Sequence, residues 1–243
     1  MKWHSQFSIK AVSFDADGTL LGTFTDRPHG FAHFFLEAAK DCGISFSLEK
    51  LKPILKEVRE EEMLRRQKGF RPYISSENAR LHWLWYYEQV FKKMGCPEPQ
   101  KMAEEFLRRY EQGEFTTPYS DVMPCLEVLA SKKIPMILIS NYSACLLQFL
   151  EKWNLKNFFQ AILISGIEGI EKSNPLLFQK GAHWLSLKPS EILHVGNDPV
   201  EDYEASINAG FQALLLDRDN VYTNLQLPSI SSLVELPSKI CCE

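Results

Sequence analysis

The chain lacks any run of eighteen apolar residues free of charge, and its first ten residues lack the apolar core of a secretory signal. The first absence argues against a membrane-spanning helix, and the second removes the usual mark of export. We therefore expect a cytoplasmic protein that has no membrane partner.

A large excess of charge of either sign is also missing. The 27 Lys and Arg residues face 31 Asp and Glu residues, which gives a formal net charge of −4. A chain without a basic excess has no general electrostatic attraction to nucleic acid or to an anionic membrane. We expect neither as a partner, so an anionic ligand would have to be bound by a local basic group.

The cysteines lack the short, regular spacings that hold structural metals. The six are Cys42, Cys96, Cys125, Cys145, Cys241 and Cys242. In a reducing compartment we expect them to be free thiols. What remains is an ordinary globular composition, in a chain of 243 residues that is long enough for one domain with a sizeable insertion.

The middle of the chain has the pattern of four successive amphipathic helices. The segments are residues 28–43, 47–69, 75–95 and 97–113. Each segment ends on Gly, and the links between them are short, which favours a helical bundle. Within the second segment the charged run from Arg59 to Arg66 has acids and bases at helical spacings, and we expect it to form a solvated face.

On either side of this bundle the sequence alternates between short apolar strands and helices. The predicted strands are residues 9–14, 134–140, 161–165, 191–195 and 212–216, and the predicted helices between them are 143–154, 175–186 and 200–210. Near-continuous apolar strands of this kind favour a parallel sheet covered on both faces. We expect an α/β fold with a doubly wound parallel sheet and an inserted helical domain. The expected domains are residues 1–24 with 115–243, and residues 25–114.

Polar side chains follow several of these strands, at the edge where open α/β sheets bind ligands. They are Asp15 and Asp17 after the first strand, Ser140 and Asn141 at the second, Lys172 after the third, and Asn197, Asp198 and Asp202 after the fourth. Carboxylates gathered at one edge repel one another unless a cation lies between them. Mg²⁺ suits such a place because it prefers oxygen ligands and combines one or two carboxylates with a substrate phosphate.

Four segments in this order resemble the signature motifs of the haloacid dehalogenase-like hydrolase superfamily. They are "DADGTL" at Asp15, "LISN" with Ser140, the loop that carries Lys172, and "GNDPVED" at Gly196. The resemblance spans residues 9–216, and the predicted bundle falls where that superfamily inserts its helical type-one cap. It implies a Mg²⁺-dependent phosphatase that cleaves small phosphate monoesters of metabolites.

The resemblance also implies a role for each motif residue. Asp15 would be the nucleophile that becomes an aspartyl phosphate, Asp17 the acid and base, and Lys172 the cation that offsets the charge of the nucleophile and of the phosphate. The implied substrate-binding residues are Gly18, Thr19, Ser140 and Asn141, with backbone N–H groups of the first two facing the phosphate. The implied metal-binding residues are Asp15, Asp17, Asp198 and Asp202.

Two departures from the family pattern bear on these roles. Lys172 is followed by Ser173 where Pro is usual, and Asn197 follows Gly196 where an aspartate is expected. Either Asn197 or Asp198 is then the metal ligand of the fourth motif, and the spacing of the acids favours Asp198.

Other activities on the same scaffold remain open. Asp17 favours phosphoryl transfer over dehalogenation, because an alkoxide leaving group benefits from an acid whereas a halide does not. A phosphomutase, a haloacid dehalogenase and a catalytically weak binding or regulatory protein are the alternatives. Substrate choice is expected to come from the bundle and from the loop after Leu21.

Aromatic and histidine residues elsewhere receive no role in catalysis. Residues 82–87, "HWLWYY", lie among apolar residues at helical spacing, which favours packing over a ligand-binding box. His183 and His194 have no companions at metal-ligand spacing, and neither is assigned a function.

Overall fold

The structure is a computed structural model that describes residues 8–22 and 30–240. The strands are β1 (Ala11–Phe14), β2 (Leu21–Gly22), β3 (Thr117–Pro118), β4 (Met136–Ser140), β5 (Ala161–Ile164), β6 (Ile192–Gly196), β7 (Gln212–Leu216) and β8 (Ser229–Ile230). The α-helices are α1 (Ala32–Asp41), α2 (Leu48–Gln67), α3 (Ser76–Lys93), α4 (Pro99–Glu111), α5 (Val122–Ser131), α6 (Leu146–Lys152), α7 (Ser165–Glu168), α8 (Leu176–Leu185), α9 (Ala205–Asn208) and α10 (Leu236–Ile240).

Six of the strands form one parallel sheet in the order β5-β4-β1-β6-β7-β8. Val12 of β1 is paired with Met136 of β4 on one side and with Leu193 of β6 on the other. The chain order reverses at β1, so the carboxyl ends of β1, β4 and β6 border a crevice of the type that binds ligands in open α/β sheets. The predicted α/β fold with a parallel sheet is confirmed.

Apolar side chains cover both faces of the sheet. Val12 and Phe14 belong to a cluster that continues into the helices between β2 and β3. Ile137 and Ile139 belong to a second cluster on the opposite face, together with Phe178 of α8. Because neighbouring residues of a strand face opposite sides, the near-continuous apolar sequences of these strands satisfy both clusters.

The five predicted strands are present, with small differences at their ends. The third stops at Ile164, and Ser165 begins α7. The helix predicted over residues 200–210 begins instead as a π-helical turn, Pro199–Glu204, which leads into α9. In this turn the N–H of Tyr203 donates to the carbonyl of Asp198 at 3.1 Å, five residues back.

Helices α1 to α4 lie between β2 and β3 and are called here the helical insertion. All four predicted helices are present, although the predicted start at residues 28 and 29 lies outside the described residues. Aromatic rings fill the interior of the insertion. The ring of Phe35 stacks on that of Phe106 with centroids 4.6 Å apart, and Phe91 packs against both. The domain boundaries remain a prediction.

Some elements were not predicted. Helix α5 carries Pro124 in its first turn, where a missing backbone N–H costs no intrahelical hydrogen bond. The short β2–β3 pair, β8 and α10 lie in segments for which no element was predicted. No helix within the described parts of the chain is long and apolar enough to cross a membrane.

Candidate active site

Three residues distant in sequence meet around the carboxylate of Asp15. Asp15 follows β1, Ser140 ends β4, and Lys172 lies in the loop before α8. The Ser140 hydroxyl donates to Asp15 Oδ1 at 3.1 Å, and the Lys172 ammonium donates to the same oxygen. Asp15, Ser140 and Lys172 are 6%, 1% and 2% exposed, so the charges of Asp15 and Lys172 interact with little screening by water.

Asp202 binds the same ammonium from the π-helical turn. Its Oδ1 accepts from Lys172, and its Oδ2 accepts from the backbone N–H of Asp198 at 2.9 Å. His194 Nε2 lies 3.4 Å from Oδ1, while its Nδ1 lies 2.9 Å from the Ser13 hydroxyl. Both oxygens of Asp202 are thus engaged in holding Lys172 and the turn. Its role as a metal ligand remains a prediction.

His194 is a supporting residue that the sequence analysis missed. It lies within β6, is 1% exposed, and connects Ser13 of β1 to Asp202. Burial lowers the pKa of His194, although its contact with Asp202 opposes this shift. The one signal in the sequence was a histidine inside an otherwise apolar strand.

Burial and charge shift the pKa values of the carboxylates in opposite directions. Burial raises the pKa of Asp15 to about 7 against the attraction of Lys172. Asp17 is exposed to the cavity, and the loss of part of its surrounding water raises its pKa to about 6. Burial also disfavours ionised Asp202, yet the Lys172 charge and the His194 contact outweigh it and lower the pKa of Asp202. Burial opposes ionisation of Lys172 too, but Asp15 and Asp202 raise its pKa. One ammonium therefore stabilises Asp202 well and leaves Asp15 and Asp17 insufficiently neutralised.

A polar cavity of about 210 Å³ opens beside these groups. Seven of the nine predicted site residues line it: Asp15, Asp17, Ser140, Asn141, Lys172, Asp198 and Asp202. Asn197 and Glu201 line it as well, and the helical insertion contributes Arg59, Arg66, Tyr73 and Trp83. The charged run from Arg59 to Arg66 was expected to form a solvated face, but both of its terminal arginines reach this cavity.

Gly18 and Thr19 lie behind the cavity and do not line it. Gly18 has a φ of +76°, and its N–H donates to the carbonyl of Leu21 at 2.7 Å, so in this structure the N–H is not directed at a phosphate. A Cβ on Gly18 would lie 2.5 Å from the amide of Asn197, which also accepts from the Thr19 hydroxyl at 3.2 Å. Their role in substrate binding remains a prediction.

Asn141 connects the lysine loop to the helical insertion. Its Oδ1 accepts from the backbone N–H of Lys172 at 2.8 Å, and its Nδ2 donates to Glu201 at 3.0 Å. Glu201 in turn accepts from Arg66 of α2. Asn141 is therefore engaged in positioning, and the contact between Glu201 and Arg66 joins the two parts of the molecule.

The oxygen atoms around the cavity fit a hard cation, although a cage made of protein ligands alone is missing. Among the described residues, no group of three or more His, Cys, Asp or Glu side chains is arranged to hold a metal ion. Mg²⁺ commonly uses only one or two carboxylates together with substrate phosphate and water. The raised pKa values of Asp15 and Asp17 mark negative charge that a cation would offset. Asp198 lines the same cavity, but its Oδ1 accepts from the N–H groups of Val200 and Glu201.

Comparison with known proteins identifies the family. The family model for haloacid dehalogenase-like hydrolases matches residues 9–210. The chain belongs to this family and is a hydrolase. This haloacid dehalogenase-like hydrolase is 25% identical over 213 residues to glyceraldehyde 3-phosphate phosphatase of Methanopyrus kandleri, covering 86% of this chain and 84% of that one.

Two further comparisons span almost the whole chain. Human N-acylneuraminate-9-phosphatase is 24% identical over 240 residues, which cover 95% of this chain and 93% of the relative. The crystal structure of the HAD-hydrolase YfnB of Bacillus subtilis bound to magnesium superposes with a TM-score of 0.75, covering 97% of this chain and all of YfnB. At 16% identity this structural match shows the fold alone.

Proposed function

We propose that this hydrolase is a Mg²⁺-dependent phosphatase that cleaves small phosphate monoesters through an aspartyl phosphate on Asp15. The observation that carries the proposal is the contact of Asp15 with both Ser140 and Lys172 beside a polar cavity. The phosphatase activity named for two relatives that match most of this chain supports the same class of substrate.

In the first step, a carboxylate oxygen of Asp15 attacks phosphorus and the bond from phosphorus to the alcohol oxygen breaks. Asp17 donates a proton to that oxygen, so the leaving group departs as an alcohol. A pKa of about 6 suits this task, because an acid works best when its pKa lies near the operating pH.

In the second step, water attacks the phosphorus of the aspartyl phosphate. Asp17, ionised by the first step, takes the proton of the water, and the bond from phosphorus to the Asp15 oxygen breaks. Inorganic phosphate leaves and Asp15 regains its carboxylate. Splitting one displacement into two steps in this way is the advantage of nucleophilic catalysis.

Charge neutralisation supports both steps. Lys172 offsets the charge on Asp15 and on the phosphoryl group, while Asp202 holds the ammonium in place. Mg²⁺, held by Asp15 together with Asn197 or Asp198, would supply further positive charge to the phosphoryl oxygens when bound. The helical insertion acts as a cap, since Arg59 and Trp83 line the cavity opposite the sheet and shield it from water.

The decisive experiment measures phosphate release from a panel of phosphate esters with Mg²⁺ and with a chelator. We expect turnover that requires Mg²⁺ and falls by at least about 10³-fold in Asp15→Asn, because the nucleophile is removed. Asp41→Asn, at an exposed position on α1, is the matched control and keeps the activity. Full turnover by Asp15→Asn would refute the assignment. Release of halide from haloacids without phosphatase activity would favour the dehalogenase alternative instead.

A further inference from the structure

A second cavity lies beside Asp17 on the side of the helical insertion. Its volume is about 230 Å³, and five aromatic side chains form most of its wall. They are Phe31, Trp83, Tyr86, Tyr87 and Tyr110. Nothing in the catalytic steps derived above uses this cavity.

The aromatic cavity and the polar cavity meet at shared residues. Asp17, Arg59 and Trp83 line both of them. Asp17 is the proposed proton donor to the leaving oxygen, so a phosphoryl group at Asp15 places the rest of the ester at this junction. The leaving group then lies next to the aromatic cavity.

The aromatic wall is held in place before any ligand arrives. Trp83 stacks on Tyr87 with centroids 5.7 Å apart and meets the edge of Tyr86 at 5.6 Å, while Phe31 lies 5.9 Å from Tyr87. Tyr87 is fully buried and Tyr86 is 9% exposed. Rings fixed by one another lose little freedom when a ligand stacks on them, so the wall is preorganised for a flat or apolar surface.

The charge of the cavity favours stacking over ion pairing. Arg59 is the cation of its wall, and the Arg59 guanidinium donates to Glu62, which is 2% exposed. Glu62 keeps its charge despite burial, because His82 and Arg59 lower the pKa of Glu62. The charge of Arg59 is therefore already neutralised by the carboxylate of Glu62 in the same helix, α2.

The size of the cavity limits the ligand. Sites for drug-sized molecules measure roughly 300–1,000 Å³. At about 230 Å³ this cavity lies below that range, and it accommodates a single ring, since a cavity of about 150 Å³ already holds benzene.

Resting on the proposed phosphatase function, we propose that this cavity binds the leaving group, and that the enzyme prefers phosphate monoesters whose alcohol carries one ring with an apolar face. Such a ring is either aromatic or a sugar ring, whose C–H groups form an apolar face. Trp83 is the aromatic residue at the junction that both the ring and the phosphoryl group approach, and it determines this preference.

The test compares three esters of primary alcohols, so that the basicity of the leaving group stays similar. Benzyl phosphate supplies an aromatic ring, glucose 6-phosphate a sugar ring, and ethyl phosphate no ring. For the wild-type full chain with Mg²⁺, we expect kcat/KM to be about tenfold higher for at least one ring ester than for ethyl phosphate, as expected for stacking on aromatic residues. The faster ring ester identifies the kind of ring.

Substitution of the junction residue sharpens the test. In Trp83→Leu, the ratio of kcat/KM between the preferred ring ester and ethyl phosphate should fall towards one. Trp184→Leu removes an indole that is 69% exposed on α8, and it should keep the wild-type ratio. The comparison of esters in the wild-type protein stands even where Trp83→Leu does not fold.

The outcomes separate this inference from the function on which it rests. Hydrolysis of all three esters with equal kcat/KM would overturn the ring preference and leave the phosphatase intact. A wild-type ring preference that survives in Trp83→Leu would overturn the role of Trp83. Absence of phosphate release from every ester would overturn the phosphatase and the ring preference together.

Discussion

The two sides of the cleft at Asp17 have opposite chemistry. On the side of the sheet, Asp15, Lys172 and Asp202 bring three charges together with at most 6% of any of these residues exposed. On the side of the helical insertion, Trp83 and Tyr87 present aromatic rings. In the proposed function, the charged side stabilises a phosphoryl group that every substrate has in common, whereas the aromatic side contacts the part that differs between substrates.

This difference indicates that bond cleavage and substrate choice are separable. Substitutions on the charged side should lower the rate for every ester, although the size of the loss can depend on the leaving group. Substitutions on the aromatic side should alter the ratio between esters. The predictions below test that division.

After the loss of the nucleophile, the largest effect on turnover is expected from Asp17→Asn. Loss of the proton donor should lower kcat/KM for ethyl phosphate by about 10²–10⁴-fold. The loss should be smaller for 4-nitrophenyl phosphate, because its leaving group departs readily without a proton. Steady-state kinetics with the two esters provides the measurement, and equal losses would contradict the acid role.

Asp202→Asn should reduce stability more than any other single carboxylate change in the cleft. Removing one partner of a buried ion pair costs about 3 kcal/mol of unfolding free energy. The pKa of Asp202 is lower in the folded chain than in the unfolded chain, so its contribution is present above the unfolded pKa and is lost as pH falls towards the folded value. Urea unfolding at pH 7 and at pH 3, below the unfolded pKa of about 4, should show the variant approaching the wild type at the lower pH. A gap that widens on acidification would contradict this assignment.

Asp15→Asn should have the opposite effect in the presence of a chelator. The pKa of Asp15 is raised to about 7 in the folded chain, so ionised Asp15 destabilises the fold increasingly as pH rises from about 4 to 7. The variant should therefore unfold with a free energy about 1–3 kcal/mol higher than the wild type at pH 8, and the gain should shrink towards pH 4. A destabilised Asp15→Asn at pH 8 would show that Lys172 neutralises both carboxylates.

The smallest effect on kcat/KM is expected from the ion pair between Arg66 and Glu201, which joins the helical insertion to the rest of the chain. Arg66 and Glu201 are 28% and 30% exposed, and solvent weakens an ion pair of this kind. Arg66→Met should lower kcat/KM by no more than about fivefold. Glu201→Gln should have a similar effect, and the double variant should lose little more than either single variant. Additive losses would show that the two residues act independently, and Arg80→Met on α3 serves as the matched control.

The fold and the meeting of Asp15, Ser140 and Lys172 could be predicted because local sequence determines where each strand ends. An apolar strand that ends in Asp15 or Ser140 places that side chain at the carboxyl edge of the sheet, regardless of the conformation of the loops. The supporting residues could not be predicted in this way. His194 acts through Asp202, and Arg66 through Glu201, a residue 135 positions away.

The aromatic cavity shows a second limit of sequence reasoning. Helical spacing in residues 82–87 favoured packing over a ligand-binding box; Tyr86 and Tyr87 are buried, yet they also line the aromatic cavity together with Trp83. The same spacing could not show that Trp83, Tyr87 and Phe31 leave a gap between them, because the gap depends on how separate helices pack.

The measurement that tests the central claim most directly is chemical quenching of a single turnover with ³²P-labelled 4-nitrophenyl phosphate, whose leaving group departs without a proton from Asp17. Asp17→Asn is the protein to use beside the wild type, since loss of the base in the second step should let the intermediate accumulate. We predict that the label is recovered on the peptide that contains Asp15. Complete turnover with no label on Asp15 in either protein would contradict the account.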